Sequence, residues 1–544
     1  MLLYTRAMKS LPFLHVALLA LVACGGGAAE GPKGPAGSGG GGSSKPAAAG
    51  DVSFELDKVE IKGVVFQPGA LARPNMPLVE AKKKTTIEKQ RTVFAGTKDP
   101  VQKEAQAAIL ATLLYQKSKD DKPNEKALWT EARQALRDAA QLSGDKVDEI
   151  TLRLLGTYEI LLDDPAAAEK AWGALVTKAP KDKDAPYNRA WWAYALLMQN
   201  KNADALAAVK DEKLSDKQPE LAYITAWAKW RSGDDAGAWT ALVAAMKGWD
   251  QLPNKDNLET ELYLFAGRSN VSLAEVTPAL FTAFGAKQKA QQYEVLAKLG
   301  LQAYGFAGRW ADAVAALDKA LDIAGDTVPP NDRPLIRYKE VEFSIPLGQP
   351  EVTAKYAKLA IDALPACGAK CSDQDKASIV QNVFGTGRLF HGLYATANDV
   401  TYYQPAHDIY SFTVDKIMDA ALRAQAQKDQ LTLAATLKNT KVGTGTHDKA
   451  AIGALLGRHN QEVQACYETA LAANPKLGGS LIVNLESDES GAIKGVSTDP
   501  KAGLADLSAV AGCVAEHAKS WTLPKRGMAG TTRIKLGFSL APRK

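Results

Sequence analysis

From Val101 to Gly368 small and apolar residues return at spacings of three and four, with no sustained alternation of period two, and this predicts helices. A triplet recurs along the stretch as Ala132/Leu136/Ala139, Ala168/Trp172/Leu175, Ala238/Leu242/Ala245 and Ala313/Leu317/Ala320. Its spacing puts each triplet on one helical face, and the small leading residue lets a neighbouring helix approach closely. Ala205/Val209 begins another copy, which Glu212 breaks at the third position. The leading alanines step from 132 to 168 to 205 to 238, by 36, 37 and 33 residues. The next, at 313, lies 75 further on, about two repeats, with Ala274 as the candidate between them and Thr353/Ala357/Ala360 as a further copy. A second apolar helix precedes each triplet: "TLRLLGTYEILLDD" from Thr151, "RAWWAYALLMQN" from Arg189, "LAYITAWAKWRSGDD" from Leu221 and "EVLAKLGLQAYGFAGRW" from Glu294. Turn residues separate the members of a pair: Asp164-Pro165, Asn200–Asn202, Gly233-Asp234 and Gly308. A helix–turn–helix unit of about 34 residues is the mark of a solenoid.

The flanks read differently. "VSFELDKVEIKGVVFQPGA" from Val52 alternates, and predicts a short hairpin or an extended strap. "GRLFHGLYATANDVTYYQPAHDIYSFTVDKIMDAALRAQ" from Gly387 is the richest in tyrosine. Tyr394, Tyr402, Tyr403 and Tyr410 either line a peptide groove or fill a core, and His391 and His407 read as structural. After a linker, "DKAAIGALLGRHNQEVQACYETALAANP" is one amphipathic helix. Leu481, Val483 and Leu485 then alternate before an Asp-Glu-Ser-Gly turn, with Ile493 and Val496 after it, which is a β-hairpin. "LADLSAVAGCVAEHAKSW" is a second helix and "TTRIKLGFSL" a last strand, so the tail runs αββαβ.

At the other end, Arg6 and Lys9 precede an apolar run from Leu11 to Val22, too short for a comfortable membrane span. Met8 is an alternative start, since a complete secretory signal begins there. The run closes on Leu21-Val22-Ala23-Cys24, which resembles the lipobox of bacterial lipoproteins. The resemblance implies that Cys24 becomes the first mature residue and carries acyl chains. Residues 25–50 are almost all Gly, Ala, Ser, Pro and Lys; a coil of that length reaches about 28 Å. Gly25 and Gly26 lack the Asp that retains lipoproteins in the inner membrane of enteric bacteria, so the outer membrane, on its periplasmic face, is expected.

These readings divide the 544 residues into a signal peptide (1–23), a tether (24–50), an N-terminal strap (51–100), a helical repeat region (101–437), a linker (438–446) and a tail domain (447–544). The fold class expected is mainly α, a solenoid followed by a small α+β domain. Formal net charge is +5, and removing Arg6 and Lys9 with the signal leaves +3, too little to argue for nucleic acid. "AKKKTT" at Ala81–Thr86 is a short basic run, read as a solvated surface. Besides Cys24 there are four cysteines, Cys367, Cys371, Cys466 and Cys513. In an exported protein disulfides are the default, and spacing suggests neighbours 367 with 371 and 466 with 513 among three possible pairings. A metal or redox role for Cys367-x-x-x-Cys371 lacks a nearby His.

The repeat resembles the tetratricopeptide repeat. The best copy has Leu155 and Gly156 at the tight positions of its first helix, Ala168 at the small position of the second, Trp172 four later and Pro180 at the end; Glu159 departs from the usual apolar residue. Ala205, Ala238 and Ala313 take the place of Ala168 in other copies. The tail has Arg458, Cys466-Tyr467, a glycine before the first strand, Cys513 on the second helix and Trp521-x-x-Pro524. It resembles the TonB-like tail domain, of AgmX/PglI type, of myxobacterial envelope proteins. That likeness implies that Cys466 and Cys513 pin the two tail helices together. Lipobox, repeats and tail together resemble tetratricopeptide lipoproteins of myxobacterial gliding machinery.

No H-E-x-x-H, G-x-S-x-G or Walker loop is present, and "GTGRLF" and "GTGTHD" lack the third glycine of a dinucleotide fingerprint. The expectation is therefore a non-catalytic scaffold with no cofactor, no catalytic residue, no metal site and no small-molecule substrate. Its partners would be envelope proteins, among them motility-complex subunits. The alternatives are an adaptor in envelope secretion or outer-membrane assembly, and an envelope hydrolase.

Overall fold

The computed structural model describes residues 50–69, 71, 74–80, 85–209, 218–248, 255–397, 399–439, 449–502, 506–526 and 529–543. The chain falls into two units, Met1–Ala47 and Ala48–Lys544, and the described residues all belong to the second. Cys24, the signal and tether up to residue 49, the lysines of the basic run at 82–84 and most of the expected linker lie outside the described residues. The protein is mainly helical, at 71%, with a small mixed sheet.

Most of the helices come in pairs packed on each other. After α1 (Ile87–Gly96) the chain forms α2 (Pro100–Asp120) with α3 (Glu125–Ser143), α4 (Glu149–Leu161) with α5 (Pro165–Lys178), and α6 (Ala185–Met198) with α7 (Asn202–Val209). Then come α8 (Pro219–Arg231) with α9 (Asp235–Lys247), followed by α10 (Lys255–Arg268) and α11 (Leu273–Ala283), which pack mainly on neighbouring elements rather than on each other. α12 (Lys289–Lys298) continues through a π-helical stretch, Leu299–Tyr304, and pairs with α13 (Trp310–Ala324); α14 (Asp332–Ser344) pairs with α15 (Pro350–Cys367). Beyond them lie three longer or irregularly spaced helices, α16 (Asp373–Ala397), α17 (Tyr403–Thr413) and α18 (Ala420–Asn439). Lys438 and Asn439, assigned to the linker, are thus still helical.

The triplets fall where their spacing puts them: Ala132, Leu136, Ala168, Trp172, Ala205, Ala238, Leu242, Ala313 and Leu317 are fully buried. The turn before five of the copies is equally regular. Asp163, Asn200, Gly233, Gly308 and Gly348 have φ of 59°, 60°, 83°, 71° and 65°. Each lies five residues before a leading position (168 − 163, 205 − 200, 238 − 233, 313 − 308, 353 − 348). One left-handed residue reverses the chain between two helices, and Gly, Asn and Asp tolerate that conformation best. Asp164 and Asp234 then cap the second helix, their side chains accepting from the N–H of Ala167 and Gly237.

The structure corrects one member of the series. Ala274 is exposed; the buried face of α11 is Val276 and Leu280. The steps become 38 and 37 residues (276 − 238, 313 − 276). A search for a small leading residue misses this copy because its leading residue is β-branched. The π-helical stretch has a matching cause. A Cβ on Gly156 would come within 2.6 Å of Trp172, and one on Gly300 within 2.7 Å of Leu317; Trp172 and Leu317 are the second residues of their triplets. Gly156 precedes its left-handed residue by seven positions (163 − 156), Gly300 by eight (308 − 300). A π-bulge absorbs one extra residue without losing the face.

The sheet gathers strands from both ends of the unit. β1 (Val52–Glu55) and β2 (Val59–Gly63) each pair in parallel with β5 (Thr532–Pro542), so this segment is no hairpin. β3 (Gly479–Ser487) lies antiparallel between β5 and β4 (Ile493–Ala502), giving the order β1-β5-β3-β4. The helix expected over the start of the tail is broken by a tighter turn, Gly457–His459, into α19 (Lys449–Leu456) and α20 (Asn460–Ala473). α20 packs on α21 (Ser508–Ala518), and α21 on β4. The inward residues of the sheet, Leu481, Val483, Leu485, Ile534, Leu536 and Phe538, belong to one core cluster with Val341, Ala357, Phe384 and Tyr410 of the helical part. The tail is therefore packed into the end of the helical array.

Candidate functional site

Beyond β2 the described residues up to Glu80 form no helix or strand and lie against the first helices of several pairs. The backbone N–H of Val64 donates to Glu468 Oε1 on α20, at 3.1 Å. Phe66 meets Trp230 of α8 with ring centroids 6.3 Å apart. The N–H of Asn75 donates to Tyr187 Oη on α6 at 2.7 Å, and that of Val79 to Thr112 Oγ1 on α2 at 3.0 Å. Leu71 is buried in the large core cluster of α5 to α13. The described residues between 64 and 79 thus lie in the array as a bound peptide would, although they belong to the same chain.

The densest part of this contact is Phe66-Gln67-Pro68-Gly69. Arg231, the last residue of α8, is 5% exposed. Its Nη2 donates to Phe66 O at 3.2 Å and to Gln67 Oε1 at 2.7 Å. Its Nη1 donates to Leu197 O at 2.7 Å, and the guanidinium stands 5.5 Å from the Trp227 ring. Burial lowers its pKa to about 10, so it remains a cation at neutral pH. Pro68 is buried. Gly69 is held at both backbone groups: its N–H donates to Glu261 Oε1 at 2.7 Å, and its C=O accepts from Asn257 Nδ2 at 2.9 Å. Asn257 and Glu261 are four apart and share a face of α10. Trp227 Nε1 donates to the other oxygen of Glu261 at 3.1 Å, fixing the carboxylate. A Cβ on Gly69 would lie 3.0 Å from Asn257 Nδ2 and 3.1 Å from Glu261 Oε1.

A second polar cluster joins array and tail. Glu462 of α20 is 4% exposed. Its Oε1 accepts from Trp310 Nε1 at 2.6 Å and its Oε2 from Trp521 Nε1 at 2.6 Å. His459 Nδ1 lies 2.9 Å from Oε1, and its ring stacks on Trp521 at 4.6 Å. Two turns on, buried Glu468 pairs with buried Arg268 of α10. α20 therefore ties the tail to α10, α13 and the strap.

The residues singled out in the sequence sort into packing roles. Leu155, Gly156, Ala168 and Trp172 are buried where α4 meets α5, and Pro180 is exposed just beyond α5. Glu159 is buried and salt-bridged to Arg133 and Arg137 of α3; burial raises its pKa against those two cations. Tyr394, Tyr402 and Tyr410 are core and Tyr403 is half-buried against Tyr394, so these tyrosines line no groove. His391 Nδ1 faces Tyr410 Oη at 3.2 Å, and His407 sits beside Asp408. In the tail, Tyr467 donates to Leu477 O at 2.6 Å, Trp521 holds Glu462, Pro524 is buried and Arg458 is half-buried in the turn before α20. Cys367 is bonded to Cys371 and Cys466 to Cys513, with Cα atoms 5.6 and 5.7 Å apart. Cys466, Cys513 and His517 have ligand atoms within 4.8 Å of one another, but the disulfide takes both sulfurs. Among the described residues no helix is long and apolar enough to cross a membrane.

No protein-family model and no curated protein sequence matches the chain. The strap's contacts escaped sequence reading for a physical reason. Arg231 ends a helix and Pro68-Gly69 is a turn signal, and both patterns ordinarily mark solvent. The available signal was Trp227, Trp230 and Arg231 close together in one helix; in the structure the two tryptophans form an aromatic set with Phe265 of α10, with centroids 5.0–5.3 Å apart.

Proposed function

We propose that this chain is a non-catalytic scaffold of a bacterial envelope, lipid-anchored at Cys24 on the periplasmic face of the outer membrane, which holds other envelope proteins on a tetratricopeptide-like array. The observation that carries the reading is the strap: the first-helix face of the array grips an extended segment largely by its main chain, as peptide-recognition surfaces do. The regular left-handed turns and buried triplets support the solenoid reading. The order αββαβ and the Cys466–Cys513 pair support the likeness to the TonB-like tail. The likeness of the whole plan to gliding-motility lipoproteins such as GltE is the ground for favouring motility among envelope processes.

Chemical crosslinking in intact envelopes, with recovery of the full-length chain, tests this. Motility-complex subunits among the recovered proteins are expected. Partners from secretion or outer-membrane assembly would leave the scaffold standing and remove gliding. Recovery of no partner, with turnover of peptidoglycan or a peptide by the purified chain, would replace the scaffold with an envelope hydrolase. Mass spectrometry of the mature protein should find acylated Cys24 at the N-terminus; cleavage elsewhere would remove the anchor.

A further inference from the structure

We infer that the face formed by Trp230, Arg231, Asn257 and Glu261 is a sequence-selective peptide site, occupied in this structure by the chain's own Phe66-Gln67-Pro68-Gly69, and that its ligand is an extended segment of another polypeptide with the same aromatic–Gln–Pro–Gly pattern. The inference rests on the scaffold reading and adds to it what the array recognises and what stands in the way.

Each of the four positions meets a separate device. The aromatic residue meets Trp230 with its ring tilted at 53°. Arg231 chelates the carbonyl of that residue and the side-chain oxygen of the next with one nitrogen. A hydrocarbon side chain in place of Gln67 leaves that arm of a buried cation with one acceptor fewer, which is costly. Pro68 is buried and has no N–H to satisfy. Gly69 is clamped at N–H and C=O by two side chains close enough to crowd any larger residue. The Trp230 indole N–H and Arg231 Nε are buried with no partner among the described residues, so the resident segment leaves donors of the site unused. A ligand that supplies an acceptor to either would gain over it.

The resident segment competes from within the same molecule. A short intramolecular connection corresponds to an effective concentration on the order of millimolar, so the site is closed to weak ligands and opens to a matched one. Release of 66–69 also frees the chain between β2 and α1, which reaches Tyr187 and Thr112.

The test uses the full-length chain and a fluorescein-labelled peptide, VVFQPGALARPNM, copied from residues 64–76, read by fluorescence anisotropy. Phe66→Ala in the full chain weakens the resident segment and should tighten peptide binding by about tenfold, the ratio for about 1.4 kcal/mol. A peptide with valine in place of its Gly69 should bind about tenfold more weakly than the parent, and Arg231→Gln should abolish the preference for glutamine over leucine at the second position. Hydrogen exchange of the wild-type chain gives a second readout that needs no variant: saturating peptide should speed exchange at the amides of Gly69 and Asn75. Unchanged exchange at those amides, or a correctly folded Phe66→Ala chain that binds the peptide no better than wild type, overturns the inference. Peptide exchange without envelope partners would keep the site and remove the scaffold role; partners recovered without peptide exchange would do the reverse.

Discussion

Gly156 shows how a single residue sets the spacing of two helices. It lies on α4 against the face of Trp172, and an added Cβ would come within 2.6 Å of that indole, which is itself fully buried. Gly156→Val should therefore destabilise the unit by about 1–3 kcal/mol, the usual cost of overpacking, measured by urea denaturation; Gly144→Val, where a Cβ meets nothing, tests only the cost of its positive φ. Glu340 offers a residue-scale test in pH. Its side chain is fully buried on α14, Oε2 pairs with Arg337 at 2.7 Å, and Oε1 has no partner among the described residues. Burial raises its pKa to about 8 against the pull of Arg337. A carboxyl raised in the folded state binds its proton more tightly than in the unfolded chain. Its stabilising contribution is then complete below about pH 4.5, the unfolded value, and is lost as pH rises toward 8. Glu340→Gln should abolish that loss, so the melting temperature of the variant relative to wild type rises between pH 5 and 8. A constant difference across that range would refute the assignment.

At the scale of elements, what could be read from sequence was what local chemistry determines. Small–apolar–small triplets on a helical face located α3, α5, α7, α9 and α13, and the cysteine spacing located two neighbouring pairs. Alternation located β3 to β5. The failures share one cause: a partner far away in sequence. The alternation of 52–63 was legible, but its partner β5 is some 480 residues on (532 − 52). For the four tyrosines near Gly387 the sequence left groove and core both open, because sheet residues of their shared core cluster lie in the tail. Of the candidate site, the roles of Arg231, Asn257 and Glu261 were not legible, since their partners lie far upstream: Gln67 is 164 positions before Arg231, and Gly69 is 192 before Glu261. The Cys466–Cys513 pair is the element-scale prediction. It joins α20 to α21 across 46 intervening residues (513 − 466 − 1), a loop worth roughly 4 kcal/mol in the chain-entropy account. Cys466→Ser with Cys513→Ser should lower stability by about that amount or less, and reduction by dithiothreitol should have no further effect on the double variant at those positions.

For the unit from Ala48 to Lys544, the main question is whether array and tail unfold together. A tail that merely trailed the repeats would be expected to melt alone. The structure argues against this on three counts. β1 and β2 bring residues from before the array into the tail's sheet. The tail's inward sheet residues share a core with α14 to α17. Glu462 receives one indole from the array, Trp310, and one from the tail, Trp521. Trp310→Phe with Trp521→Phe leaves the carboxylate buried with His459 as its remaining close donor; each lost bond to a charged group is worth about 1.5–3 kcal/mol. Hydrogen exchange should then show α13 and α20 losing protection to the same extent, because neither can open without exposing the other's side of the cluster. Faster exchange confined to α20, α21 and the strands, with α13 unchanged, would mean that the tail opens by itself and that the shared core contributes little to cooperativity. Equal loss in both would make the strap, the array and the tail one folding unit. In such a unit, any partner that displaces residues 64–79 also weakens the hold of the tail on the helices.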